Sequence, residues 1–191
     1  MNTAIMVQRQ TDEQGVITLP EQTVVAIGAK SLRSAIGSVD YYLLRYADFM
    51  SRADPDEQAP DYYLGYGDYY VRNFHTVVRP ELSPAGQAWV DKTLVLLQRY
   101  MEDRRDANPF AFADLEHNGE DFRAFAYGTH SQAYINAGVC DLPINDLRII
   151  LFTPRLFDLL TLGGVEEMTD VLIMCLGIWG SPEGMAPWGP P

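Results

Sequence analysis

The chain is expected to fold as a mainly α, single-domain bundle of about six helices carrying a short N-terminal β-hairpin. Three observations predict this. Apolar residues recur at three- and four-residue steps through much of the chain after residue 28. The pairs Ser83-Pro84 and Thr153-Pro154 mark helix starts, a capping hydroxyl followed by a residue whose missing N–H costs nothing in the first turn. The β-prone runs are confined to the beginning of the chain. At 191 residues, 47% of them hydrophobic, the chain has the size and composition of one compact domain with a proper core. It divides into a β appendage over 1–28, a helical domain over 29–179 and a Pro/Gly-rich tail over 180–191.

In the appendage, residues 4–8 (AIMVQ) and 16–19 (VITL) flank a polar TDEQG turn and read as a hairpin, with 24–27 as a further strand. Such a hairpin is marginal alone and needs something to pack on. Ser31 caps a helix running to about residue 52, whose core stripe is Leu32, Ile36, Val39, Leu43, Tyr46 and Met50. The segment DPDEQAP over 54–60 then reads as an exposed loop. Gly65 and Gly67 precede a helix from about 68 to 77, inside a stretch that holds Tyr62, Tyr63, Tyr66, Tyr69 and Tyr70. A tyrosine buries its ring and needs a partner for its hydroxyl, so this cluster reads either as polar-edged core or as a binding surface, to which Trp188 in the tail would add.

Ser83-Pro84 opens a helix to about residue 104, with Ala85, Trp89, Leu96, Leu97 and Tyr100 on its buried side and a solvated MEDRRD ending. Thr129 and Gln132 form a T-x-x-Q capping box for a short helix, and Gly138 is its left-handed stop. Helices over 143–152, 153–163 and 166–176 complete the bundle, and GSPEGMAPWGPP ends regular structure.

Twenty-six acidic against 14 basic residues give a formal charge of −12, with no Lys or Arg after Arg155. Phosphate backbones and anionic lipid surfaces are gripped through clustered Lys and Arg, so nucleic acid and membrane are excluded as expected partners. A basic protein is the complementary one. The longest apolar run, 171–179, is about half of the roughly 20 residues a spanning helix needs. The opening MNTAIMVQRQTDEQG shows no secretory pattern, so the expectation is a cytoplasmic protein, with export by an injection machine as a route that leaves no signal peptide. Cys140 and Cys175 belong to no repeated spacing, which predicts a reducing compartment and no disulfide framework.

For chemistry, DLEHNGED over 114–121 places Asp114, Glu116, Asn118 and Gly119 like the opening of a calcium loop, but Phe125 stands where a closing Glu belongs. Glu116 and Glu120, with Asp121 beside them, are the candidate carboxylate pair for glycoside hydrolysis. His75, His117 and His130 share no metal-ligand spacing, so no metal and no cofactor is expected. His130 at a helix start is a candidate neutral base, and with Cys140 and an orienting Asn136 or Asp141 it forms a candidate nucleophilic dyad. Phosphate-cradling glycine loops and the GxSxG elbow are missing from the sequence.

The stretches GDYYVRNFHTVVRPELSPAGQAWVDKTLVLLQRYMED and THSQAYINAGVCDLPINDLRIILFTPRLFDLL resemble segments of uncharacterised bacterial proteins associated with type VI secretion and Rhs loci. The resemblance implies a setting of bacterial competition or injection and carries over no catalytic residue. Within that setting three readings follow. The first is an acidic interaction protein, an adaptor or immunity-type inhibitor. The second is a small toxin hydrolase using His130 with Cys140, or Glu116 with Glu120. The third is a structural subunit docking through its hairpin or tail.

Overall fold

Helices dominate the structure, a computed structural model that describes residues 28–151 together with Gln10, Thr11, Ile17, Thr18, Thr153 and Cys175. Helix α1 spans Tyr41–Met50. A continuous helical stretch follows: a π-wound segment Tyr62–Asp68, α2 over Tyr69–Asn73, a second π segment Phe74–Val78 and one tight turn Arg79–Glu81. Then come α3 (Pro84–Ala107), α4 (Pro109–Glu116), α5 (Gly119–Gly128), α6 (His130–Ala137) and α7 (Ile144–Leu151). Near the N-terminus β1 (Gln10–Thr11) pairs antiparallel with β2 (Ile17–Thr18). The other residues of 1–27, the helices expected over 154–163 and 166–176 apart from Cys175, the 180–191 tail and Trp188 lie outside the described residues.

Capping chemistry explains the clearest boundaries. Ser83 accepts a hydrogen bond from the Gly86 N–H and Pro84 fills the first turn of α3, as the sequence predicts. Asn108 accepts from Phe110 and Ala111 to start α4, and Asn118 accepts from Asp121 to start α5. Gly138 ends α6 at φ 100°, a conformation that favours glycine. The T-x-x-Q box does not form: Thr129 sits in helical geometry and donates back to the Ala126 carbonyl, while Gln132 donates to Asn136.

Two other expectations are corrected. The helix expected from Ser31 is cut to one tight turn, Arg33–Ala35, before Gly37 turns the backbone to φ 91° and α1 follows. Its buried face is also rotated: Tyr41, Tyr42, Arg45, Asp48 and Phe49 point inward, whereas Leu43 and Met50 are exposed. Gly65 and Gly67 do not precede the next helix but lie within it, in the π-wound segment. A Cβ on Gly67 would stand 2.6 Å from the Tyr42 ring, so glycine here lets that ring lie against the helix backbone.

Two hydrophobic clusters result. The first gathers Tyr41, Tyr42, Phe49, Tyr62, Tyr63, Met101, Phe112 and Phe122 from α1, the π-wound segment, α3, α4 and α5. The second gathers Val78, Leu82, Trp89, Val90, Val139, Cys140, Ile150 and Cys175. Helix α3 contributes to both, and it packs along α6. Cys140 and Cys175 are joined in a disulfide inside the second cluster, which corrects the expectation of two unpaired thiols.

Candidate functional site

The irregular segment 28–40 has backbone N–H groups that must find acceptors once they leave water. Polar side chains on the inner faces of α1 and α3 supply them. Gln98 accepts from the Gly37 N–H at 2.6 Å and donates to the Ser38 carbonyl, Asp48 accepts from Lys30, and Glu102 accepts from Leu32 at 2.8 Å. Glu102 lies at the centre of a buried network. Its other carboxylate oxygen takes the Tyr41 hydroxyl at 2.6 Å and the Arg45 guanidinium, through Nε at 3.1 Å and through Nη2. Arg45 is fully buried and also faces Asp48. Arg52 bridges Asp48 at 3.0 Å and Glu116 at 2.7 Å, and Glu116 accepts from Tyr63 at 2.6 Å. Burial pushes the Glu116 carboxyl above its ordinary value, against the pull of Tyr63 and Arg52.

This network removes Glu116 from the candidate hydrolytic pair. It is 1% exposed and bound into the core, while Glu120 stands exposed in the first turn of α5. The dyad is likewise not assembled, because the Cys140 sulfur is bonded to Cys175, Asn136 donates to the Tyr100 hydroxyl and Asp141 is exposed. Among the described residues, no group of three or more His, Cys, Asp or Glu side chains is arranged to hold a metal. No described helix is long and apolar enough to cross a membrane.

The second feature is an aromatic cleft between the π-wound segment and α3, with α6 at its end. Tyr42, Tyr62, Tyr66, Tyr70 and Phe74 line one side, Trp89, Val90, Leu94 and Leu97 the other, and His130 and Tyr134 the end. Of the tyrosines expected at a binding surface, Tyr62, Tyr66 and Tyr70 line this cleft. Tyr63 is consumed by the ion network, and Tyr69 stacks edge-on against Tyr70. His130 is 2% exposed, ringed by Tyr62, Tyr66, Tyr127 and Tyr134 at centroid distances of 5.6–6.3 Å. Its Nδ1 faces the Ala126 carbonyl at 2.9 Å and the Tyr127 carbonyl at 3.2 Å, so Nδ1 carries the proton and Nε2 an acceptor lone pair.

Burial drives the His130 pKa down to about 4 despite those two carbonyls, from an ordinary 6.5. Between those values the unfolded chain binds a proton that the folded chain refuses. The resulting stability is present above about pH 6.5 and lost as pH falls toward 4, a change on the order of 3 kcal/mol. Urea unfolding at pH 7, 5 and 4 should show this loss, and His130→Asn, which retains an N–H for the carbonyls, should flatten it.

Thr93, on the cleft wall in α3, is the one described residue whose buried side-chain oxygen has no hydrogen-bond partner. A helical threonine ordinarily donates to the carbonyl four residues back, and leaving the group unpaired costs stability. Thr93→Val is therefore expected to raise the unfolding free energy of the unliganded protein by about 1–2 kcal/mol. A rise in the urea midpoint checks it.

A third feature lies on the surface. The ring of His117 packs against Phe49 at 5.2 Å and its Nδ1 meets Glu57 at 3.1 Å, while Arg123 approaches Asp61 at 3.8 Å. These contacts bring the DPDEQAPD loop against the α4–α5 junction, two acid-rich segments far apart in the chain. Asp54, Asp56, Asp61, Asp114, Glu120 and Asp121 are all exposed there.

Fold and site together define a mainly helical protein with a charged core, an aromatic cleft and one acid-rich face. In comparisons with known proteins, no family model, no curated protein and no solved structure matches the chain.

Proposed function

We propose that this chain is an acidic interaction protein, an adaptor or immunity-type inhibitor of a bacterial secretion or competition system, whose acid-rich face receives a basic protein partner. The observation that carries the reading is the convergence of residues 54–61 with the α4–α5 junction, two segments that carry six exposed carboxylates, with Arg123 facing Asp61 across them. Clustered like charge raises the encounter rate with an oppositely charged partner and fixes its orientation. The Glu57–His117 contact holds the loop against the junction, so the face is organised before a partner arrives. The Cys140–Cys175 bond favours an oxidising compartment over the cytoplasm expected from sequence, which fits a protein acting outside the cytosol.

The test compares two double variants of equal charge. Asp54→Asn with Asp56→Asn neutralises part of the face. Glu81→Gln with Asp141→Asn neutralises exposed carboxylates beside the second cluster. The reading predicts that tagged wild-type protein and the second variant capture the same basic protein from the source bacterium, and that the first variant captures far less. Equal capture by both variants, or capture of acidic partners only, contradicts it.

A further inference from the structure

The aromatic cleft shares no residue with the acid-rich face and has features that face does not explain. Its walls carry no ionised side chain at neutral pH, because its lining is aromatic and aliphatic apart from Thr93 and an uncharged His130. It is partly open, with about 70 Å³ of interior volume. A closed apolar cavity of about 150 Å³ holds a benzene ring, so in this smaller, open one a single ring fits with part of it standing in the mouth. The wall that carries Tyr62 and Tyr66 is π-wound, a rare conformation concentrated at functional sites. Gly67 gives the Tyr42 ring its place on that wall. Thr93, itself 7% exposed, offers a hydroxyl that no protein group satisfies.

We propose that this cleft is a binding site for a neutral, single-ring small molecule bearing one hydroxyl, phenol being the simplest case, with the Thr93 hydroxyl as its polar anchor. The ring stacks against the tyrosines and Trp89, where aromatic pairs gain beyond their buried area. The ligand oxygen accepts from Thr93, which supplies the missing bond. An anionic ligand is rejected because the lining holds no cation to compensate its desolvation.

Titration of the full chain with phenol, toluene and benzoate, followed by amide shifts in two-dimensional NMR, tests this. Phenol should give saturable shifts around Thr93 and His130 and bind about tenfold more tightly than toluene, the worth of one satisfied hydrogen bond. Benzoate should bind more weakly than phenol. In Thr93→Val, which is expected to fold at least as stably as the wild type, phenol and toluene should bind alike. The proposal is overturned if phenol fails to saturate, if toluene equals phenol in the wild type, if benzoate matches phenol, or if Thr93→Val keeps the preference. The wild-type comparison stands without the variant, and no outcome here depends on whether a basic protein is captured.

Discussion

Glu102→Ala is expected to destabilise the fold by about 3–5 kcal/mol, the range for removing one partner of a buried ion pair. The loss comes from what is stranded. Arg45 remains fully buried with the 3.5 Å contact to Asp48 as its remaining ion pair and the Tyr41 hydroxyl at 3.3 Å as a neutral partner, Tyr41 loses its acceptor and the Leu32 N–H loses the bond that holds the 28–40 segment to α3. Glu102→Gln keeps an acceptor for Leu32 but leaves the guanidinium charge uncompensated, so most of the loss should persist. A double variant Arg45→Met with Glu102→Met removes both charges together. It should be more stable than Glu102→Ala, since an apolar pair of similar volume avoids the desolvation that burying two charges requires. Urea denaturation of the three variants at pH 7 checks the order, and a Glu102→Ala protein as stable as the wild type would refute the account of this network.

Breaking the Cys140–Cys175 bond is the second large effect. The bond closes a loop with a sequence separation of 35 residues, and removing that constraint from the unfolded chain corresponds to about 4 kcal/mol in the chain-entropy description. Both cysteines are buried in the cluster that contains Trp89 and Ile150, so the bond ties residue 175 onto the α3–α7 side of the molecule. The Cys140→Ser, Cys175→Ser protein, and the wild type under reductant, should both unfold at clearly lower denaturant than the oxidised protein. The same variant reports on the nucleophile expected from sequence, because a sulfur held in a disulfide has no thiolate to offer.

Much of the helical framework was legible, and the reason is local chemistry. Ser83-Pro84 and Gly138 act through their own backbones, so their roles survive any packing. The face of α1 was not legible, because YYLLRYADFM offers two helical stripes of comparable apolarity. The aromatic one wins by burying Tyr41, Tyr42 and Phe49, and it carries Arg45 and Asp48 inward, where Glu102 meets the arginine. Glu102 itself was hidden in MEDRRD, which reads as a solvated ending, and no sequence signal identifies a glutamate whose partners lie 57–70 residues away. Helices α4 and α5 escaped because DLEHNGED reads as a loop, whereas Asn118 uses it to end one helix and cap the next. The tyrosine cluster reads from sequence as core or as binding surface, and Tyr62 and Tyr63 sit in the core. The cleft beside them depends on Trp89, Thr93 and His130 arriving from α3 and α6, which only the tertiary structure brings together.

The acid-rich face is tested most directly by measuring the affinity of a captured partner for the wild type and for the Asp54→Asn, Asp56→Asn variant between about 50 and 300 mM NaCl, a range over which surface charges become screened. Binding through this face predicts that wild-type affinity falls steeply with salt and that the variant is weaker at low salt, the two converging as salt rises. An affinity that ignores both the salt and the two substitutions would contradict it.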